Sequence, residues 1–166
     1  TVPLHGRRGE IDMEGIRRIT SFTVDHRRIV PGMYVSRRDG DITTYDLRTR
    51  RPNAGDYMDN RTMHSLEHMF ATYIRNSGIG ENVIYFGPMG CQTGFYLLVS
   101  GVPDGEVRRE VVDTLQRIID HDGEMFGCSE IECGNYRCLS LDDAKTEAER
   151  YLRVLESSEP SFDYPS

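Results

Sequence analysis

The sequence predicts an α+β domain, with helices covering a largely antiparallel sheet. Three observations lead there. Two pairs of strand-like runs alternate with helical stretches, and the turns within the pairs are short, as hairpins require and parallel crossovers forbid. Three longer stretches repeat apolar residues at helical spacing. A chain of 166 residues is also about one domain, long enough for one core and too short for two.

Residues 1–19 are polar, contain Gly and show weak periodicity, which predicts an N-terminal arm or short helix before the folded body at 20–156. Residues 33–37 and 42–47 alternate apolar and polar side chains around Asp39-Gly40-Asp41, a turn whose Gly tolerates positive φ, and read as an antiparallel hairpin. Asn60 is expected to cap the clearest helix, Met63, Leu66, Phe70 and Ile74 to form its core stripe, and Gly78 to end it. Residues 83–86 and 95–100 are β-rich and bracket 87–94, a segment with Gly at three of eight positions that can lay its backbone close to a ligand. Residues 105–121 form a second amphipathic helix through Val107, Val111, Leu115 and Ile118, and a third runs from 141 to about 157. The tail, 157–166, is expected to fray.

A hydrophobic fraction of 37% with 28% charged residues is ordinary for a globular protein, and no run reaches the roughly 18 apolar residues of a membrane span. Thr1 to Glu10 carry charges and nothing like a signal peptide, so the expected location is cytoplasmic. The net charge of -7 is unevenly spread: residues 1–51 hold 11 Arg against 7 acids, leaving 9 basic against 20 acidic residues beyond. An acidic protein with a basic front third is poorly suited to coating nucleic acid. The Arg pairs at 7–8, 17–18, 27–28, 37–38 and 50–51 look periodic, but the residues between them do not repeat, and they read mainly as solvated surface. Cys91, Cys128, Cys133 and Cys138 include no CxxC pair and are too sparse for a disulfide framework, which leaves free thiols, metal ligation or catalysis.

The sharpest chemical signal is His64-Ser65-Leu66-Glu67-His68. Four residues is just over one helical turn, so both imidazoles share a face about 5–6 Å apart at Cβ and can bind one metal ion. Glu67 lies within reach of a metal-bound water or substrate without being a ligand, as in the inverted zincin pattern HxxEH. This composition yields the motif by chance in roughly one of a hundred such chains. A catalytic site keeps three protein ligands and an open position, so a third ligand must come from elsewhere. Cys133 stands modestly ahead because the adjacent Gly134 would let the backbone turn toward the ion, with Cys128 and Cys138 competing. Cys91 sits in the Gly-rich loop, where a nearby cation would favour its thiolate and make it a base or nucleophile. Two other readings use the same residues: an HxxEH zinc metallopeptidase, which gives Cys91 no task, and a closed structural zinc site of two His and two Cys, which gives Glu67 none.

From about Ser21 to Tyr151 the chain closely resembles the S-ribosylhomocysteine lyases, the LuxS family. The resemblance rests on five landmarks in order: 21–26 (Ser-Phe-Thr-Val-Asp-His), 45–48 (Tyr-Asp-Leu-Arg) before Pro52-Asn53, the motif from His64 to His68, the segment 87–94, and Cys133-Gly134. It implies the LuxS-like metalloenzyme fold, and it implies that His64, His68 and Cys133 hold one divalent metal, ferrous iron in the cell and zinc or cobalt in preparations. It further implies that Cys91 and Glu67 are acid–base residues, and that Ser21, His26 and Arg48 shape a substrate pocket shared between two subunits of a homodimer. Arg48 is thereby the one Arg removed from the solvated-surface reading. The implied reaction releases homocysteine from S-ribosylhomocysteine, leaving 4,5-dihydroxy-2,3-pentanedione, the precursor of the type 2 autoinducer of bacterial quorum sensing and a by-product of the activated methyl cycle. Tyr85 stands where some members place an acid six residues before the reactive Cys, and the arm before about Thr20 runs longer than the family's.

Overall fold

The computed structural model describes residues 15–166, so most of the expected N-terminal arm lies outside the described residues. Four strands form one antiparallel sheet: β1 (Gly32–Asp39), β2 (Ile42–Arg48), β3 (Val83–Pro88) and β4 (Gly94–Ser100), in the spatial order β1-β2-β4-β3. Three helices, α1 (Asn60–Arg75), α2 (Asp104–Ile119) and α3 (Leu141–Glu156), pack on one another and share a core with the sheet. The α+β reading is therefore borne out.

Strand periodicity divides the sheet into two faces. Residues 33, 45, 47, 86, 95, 97 and 99 point into the buried core with Leu66, Phe70, Val111, Leu115 and Tyr151 from the helices. Phe86 is stacked between Phe70 and Phe95, with ring centroids 4.3 and 5.0 Å away, a geometry that adds to the area each ring buries. On the opposite face, Tyr34, Asp46, Tyr96 and Gly87 lie in one cross-strand row.

Several local expectations differ from the structure. Asp59, in extended conformation, caps α1 by accepting from the Thr62 amide at 2.7 Å, so Asn60 is the first helical residue. A carboxylate there also meets the positive end of the helix dipole. The helix stops at Arg75, where the amide side chain of Asn76 donates to Thr72 O and does the terminating expected of Gly78. In the 87–94 segment the outer glycines belong to strands, leaving residues 89–93 as the loop. Arg50 is buried and clamped between Glu147 of α3 and Asp56, contrary to the solvated reading of its pair.

The tail expected to fray folds back on β1. Phe162 O accepts from Val35 N at 2.8 Å, on the outer edge of the sheet beside the β1 bulge at Val35/Arg37. The segment is not a strand and bends at Asp163, which sends Phe162 and Tyr164 to opposite sides of the sheet, where a regular strand would keep residues two apart on one face. Phe162 packs edge-on to Tyr45 in the core, and Tyr164 stacks on Tyr34 at 4.9 Å.

Candidate active site

The HxxEH helix does what its spacing demands. His64 and His68 project from one side of α1 with ring centroids 4.7 Å apart. Cys133 completes the group: its Sγ lies 3.3 Å from His64 Nε2, and the three donor atoms are all within 4.8 Å of one another. Cys128 and Cys138 are not part of this cluster.

The donor set suits a divalent transition metal, and its surroundings prepare it. His68 Nδ1 is 3.0 Å from the Phe126 carbonyl, which can only accept, so the proton sits on Nδ1 and the Nε2 lone pair is left for an ion. The Cys133 backbone is turned by its bond to Ser129 O, and its sulfur accepts from the Asn135 amide at 3.4 Å. Burial, and after it the charge of His68, hold His64 below its ordinary imidazole range, which keeps the ring in the neutral form a metal needs. Glu67 faces His64 closely enough to oppose that shift and is no member of the donor cluster.

The glycine that matters is not the expected one. Gly134 keeps an ordinary φ and has open space around it, so Cys133 does not depend on it for the turn. Gly127 has φ +67°, and a Cβ there would lie 2.8 Å from His68 Nδ1. It lets the Phe126–Gly127 backbone come close to the imidazole it orients. Its sequence signal, a lone Gly before Cys128, was too weak to find it.

The second group surrounds Cys91. A cavity of about 300 Å³ is lined by His26, Pro52, Asn53, Tyr57, Cys91 and Thr93, among others. Asn53 and Gln92 both hold positive φ, and the two loops that carry them are tied by Met58 N to Gln92 O and Gln92 Nε2 to Met58 O. Cys91 is exposed to this space. Its Sγ lies 3.0 Å from Thr93 Oγ1 and 3.9 Å from Arg48 Nη1.

Arg48 is only 3% exposed, which is unusual for an arginine without a full set of partners. Its fork is gripped by Asp46, Nε to Oδ1 at 3.1 Å and Nη2 to Oδ2 at 2.6 Å, while Nη1 donates to Thr93 Oγ1 at 2.8 Å. Desolvation opposes its charge, but Asp46 more than offsets this and Arg48 stays ionised. Gly32 and Gly94 flank Arg48 on the neighbouring strands, and a Cβ on Gly94 would come within 2.7 Å of Leu47 O. Asp46 and Thr93 escaped the sequence reading, although an Asp two residues before Arg48 on a strand must share its face.

Ser21 lies in a 3-10 turn, Thr20–Phe22, near Tyr96 on the Asp46 face. His26 Nδ1 is 2.8 Å from Val24 O. Thus His26, Arg48 and Cys91 gather at one place, and His64, Glu67, His68 and Cys133 at another.

Comparison with known proteins gives this geometry a family. The sequence profile described as S-ribosylhomocysteinase (LuxS) matches residues 19–161. The chain belongs to the LuxS family. Among LuxS relatives, the S-ribosylhomocysteine lyase of Borreliella burgdorferi (strain ZS7) is 40% identical over 157 residues, covering 90% of this chain and 100% of the relative. That of Desulfotalea psychrophila is 41% identical over 162 residues, 91% and 100% of the two chains. The lyase of Finegoldia magna is 40% identical over 148 residues, 84% and 92%. No described helix is long and apolar enough to cross a membrane.

Proposed function

We propose that this chain is a metal-dependent carbon–sulfur lyase that converts S-ribosylhomocysteine to homocysteine and 4,5-dihydroxy-2,3-pentanedione. The observation that carries the reading is the convergence of His64, His68 and Cys133 in a member of this family, with three donors leaving a coordination position for substrate. A second thiol at the cluster, making a fourth donor, would have favoured a closed structural zinc site. Family membership, together with a cavity built around Cys91, disfavours the peptidase.

The chemistry follows from what each group can do. A proton alpha to a carbonyl is removable only if the resulting enediolate is stabilised, and a divalent ion at the triad would supply that Lewis acidity. Cys91, as thiolate, takes the proton from C2 of the open-chain aldose and returns it to C1, and repeats the transfer one carbon along until the carbonyl stands at C3. Arg48 and Thr93 lie against the sulfur and hold it in place. Glu67 carries protons to and from the substrate oxygens and finally removes the proton at C4. The C4–H electron pair forms the C4–C5 double bond, the C5–S bond breaks, and its electrons leave with sulfur as homocysteine thiolate. The remaining enol tautomerises to the dione.

Ser21 and His26 help to bind the ribosyl chain, with a second copy of the protein completing the pocket. The exposed apolar side chains of Ile19, Phe22, Tyr57 and Tyr85 offer that copy a surface. The ion is ferrous in the cell, with zinc or cobalt able to replace it, the enzyme is cytoplasmic, and the dione feeds autoinducer-2 formation.

Incubating anaerobic, metal-loaded protein with S-ribosylhomocysteine tests the reading by mass spectrometry. Homocysteine and the five-carbon dione in equal amounts are expected. Absence of both, from folded and metal-loaded protein, would contradict it.

A further inference from the structure

The family match ends at residue 161, and the contact made just beyond it bears on the thiol site. Tyr164 Oη donates to Asp46 Oδ2 at 2.7 Å. The same oxygen receives Arg48 Nη2 at 2.6 Å, and the same guanidinium points Nη1 at Thr93 Oγ1 and Cys91 Sγ. A chain of bonds therefore runs from the C-terminal tail through Asp46 and Arg48 to the reactive sulfur. Asp46 is 1% exposed, so Tyr164 supplies a hydrogen bond that water does not.

We infer that Tyr164 is a positioning residue for the proposed chemistry: the tail locks the Asp46–Arg48 fork in the orientation that presents Arg48 Nη1 to Cys91. The inference rests on the role assigned to Cys91 only for its effect on turnover, since the bonds themselves are independent of the reaction. The lock is well anchored. Tyr164 stacks on Tyr34, and its backbone is held two residues earlier by the Val35–Phe162 bond at the sheet edge. Tyr34 is itself fixed by donating to Val30 O at 2.6 Å. Burial, followed by the Asp46 charge, raises the Tyr164 phenol well above its ordinary range, so it remains a donor at every working pH.

Without the phenol, the carboxylate of Asp46 loses a hydrogen-bond partner. The fork is then free to rotate with Arg48, which weakens what Nη1 offers the sulfur. The other groups facing Cys91 are Thr93 and Tyr96 of the β4 side, Tyr57 and Asn53 of the 49–58 loop, and His26 of the N-terminal segment. None of them touches Tyr164 in the bonds described.

Tyr164→Phe isolates the hydroxyl, because the ring can still stack on Tyr34. The readout is the pH profile of Cys91 alkylation by iodoacetamide in metal-loaded protein, followed by peptide mass spectrometry to separate Cys91 from the other thiols. The midpoint is expected to rise by about half a unit, slowing alkylation at neutral pH roughly three-fold, with turnover falling by a similar factor. In an Arg48→Lys background, which lacks the fork, Tyr164→Phe should add nothing. An unchanged profile overturns the inference, and so does an equal shift with and without Arg48. If alkylation shifts as expected while Cys91→Ala retains turnover, the lock stands and the proposed role of Cys91 falls.

Discussion

His64 and His68 meet by local geometry, one turn apart on α1, whereas Cys91 and Arg48 meet because strand register lays β4 against β2. The first site needs one distant residue, Cys133, brought by a turn. The second needs three distant segments and buried charges: Asp46 beneath Arg48, and Arg50 holding the cavity loop to α3. The two sites are therefore fragile at different places. The metal centre depends on a close backbone approach at Gly127, and the thiol cavity on ion pairs that would be costly to leave half made.

Substitutions can test that division. Arg48→Lys keeps a charge but loses the planar fork, and turnover should fall about 100-fold with metal content unchanged; loss of metal would mean that the two sites are not separable. Gly127→Ala pushes a Cβ against the His68 ring, and metal affinity measured by chelator competition should weaken about 10- to 100-fold while Cys91 alkylation stays at its original rate. Glu147→Ala leaves Arg50 buried with only Asp56, and urea unfolding should show a loss of about 3–5 kcal/mol. A loss under 1 kcal/mol would show that Arg50 reaches water and that the cavity loop is not held as described.

The smallest effect is an acid sensitivity distributed over the fold. Desolvation opposes the Asp104 charge, but bonds from Arg38 and Tyr45 hold its carboxyl below the usual range, and the Thr62 amide does the same for Asp59. The unfolded chain therefore takes up these protons first as pH falls. The stability they contribute is present above about pH 4 and is lost as pH drops through the folded-state values. Melting temperature followed from pH 6 to pH 3 should decline, and Asp104→Asn should flatten part of that decline.

The sequence carried the metal centre further than the thiol site, for physical reasons. A four-residue repeat on an amphipathic helix fixes direction, so His64 and His68 were legible, and the family landmarks singled out Cys133. Strand alternation likewise predicted the hairpin that became β1 and β2. Asp46, Thr93 and Gly127 were not read because their significance depends on what lies across the sheet or behind a ring. Arg50 was misread since its partner Glu147 is 97 residues away. The tail was expected to fray because it is a terminus, and nothing local shows that Phe162 and Tyr164 find Tyr45 and Tyr34 on the two sides of the sheet edge.

Cys91 and the His64–His68–Cys133 cluster serve one reaction by different means, so paired measurement of metal content and homocysteine release should tell their roles apart. Cys91→Ala should retain one metal per subunit and lose turnover by at least about 1,000-fold, whereas Cys133→Ala should lose both together. Normal turnover from Cys91→Ala, or a fully active Cys133→Ala protein without metal, would contradict it.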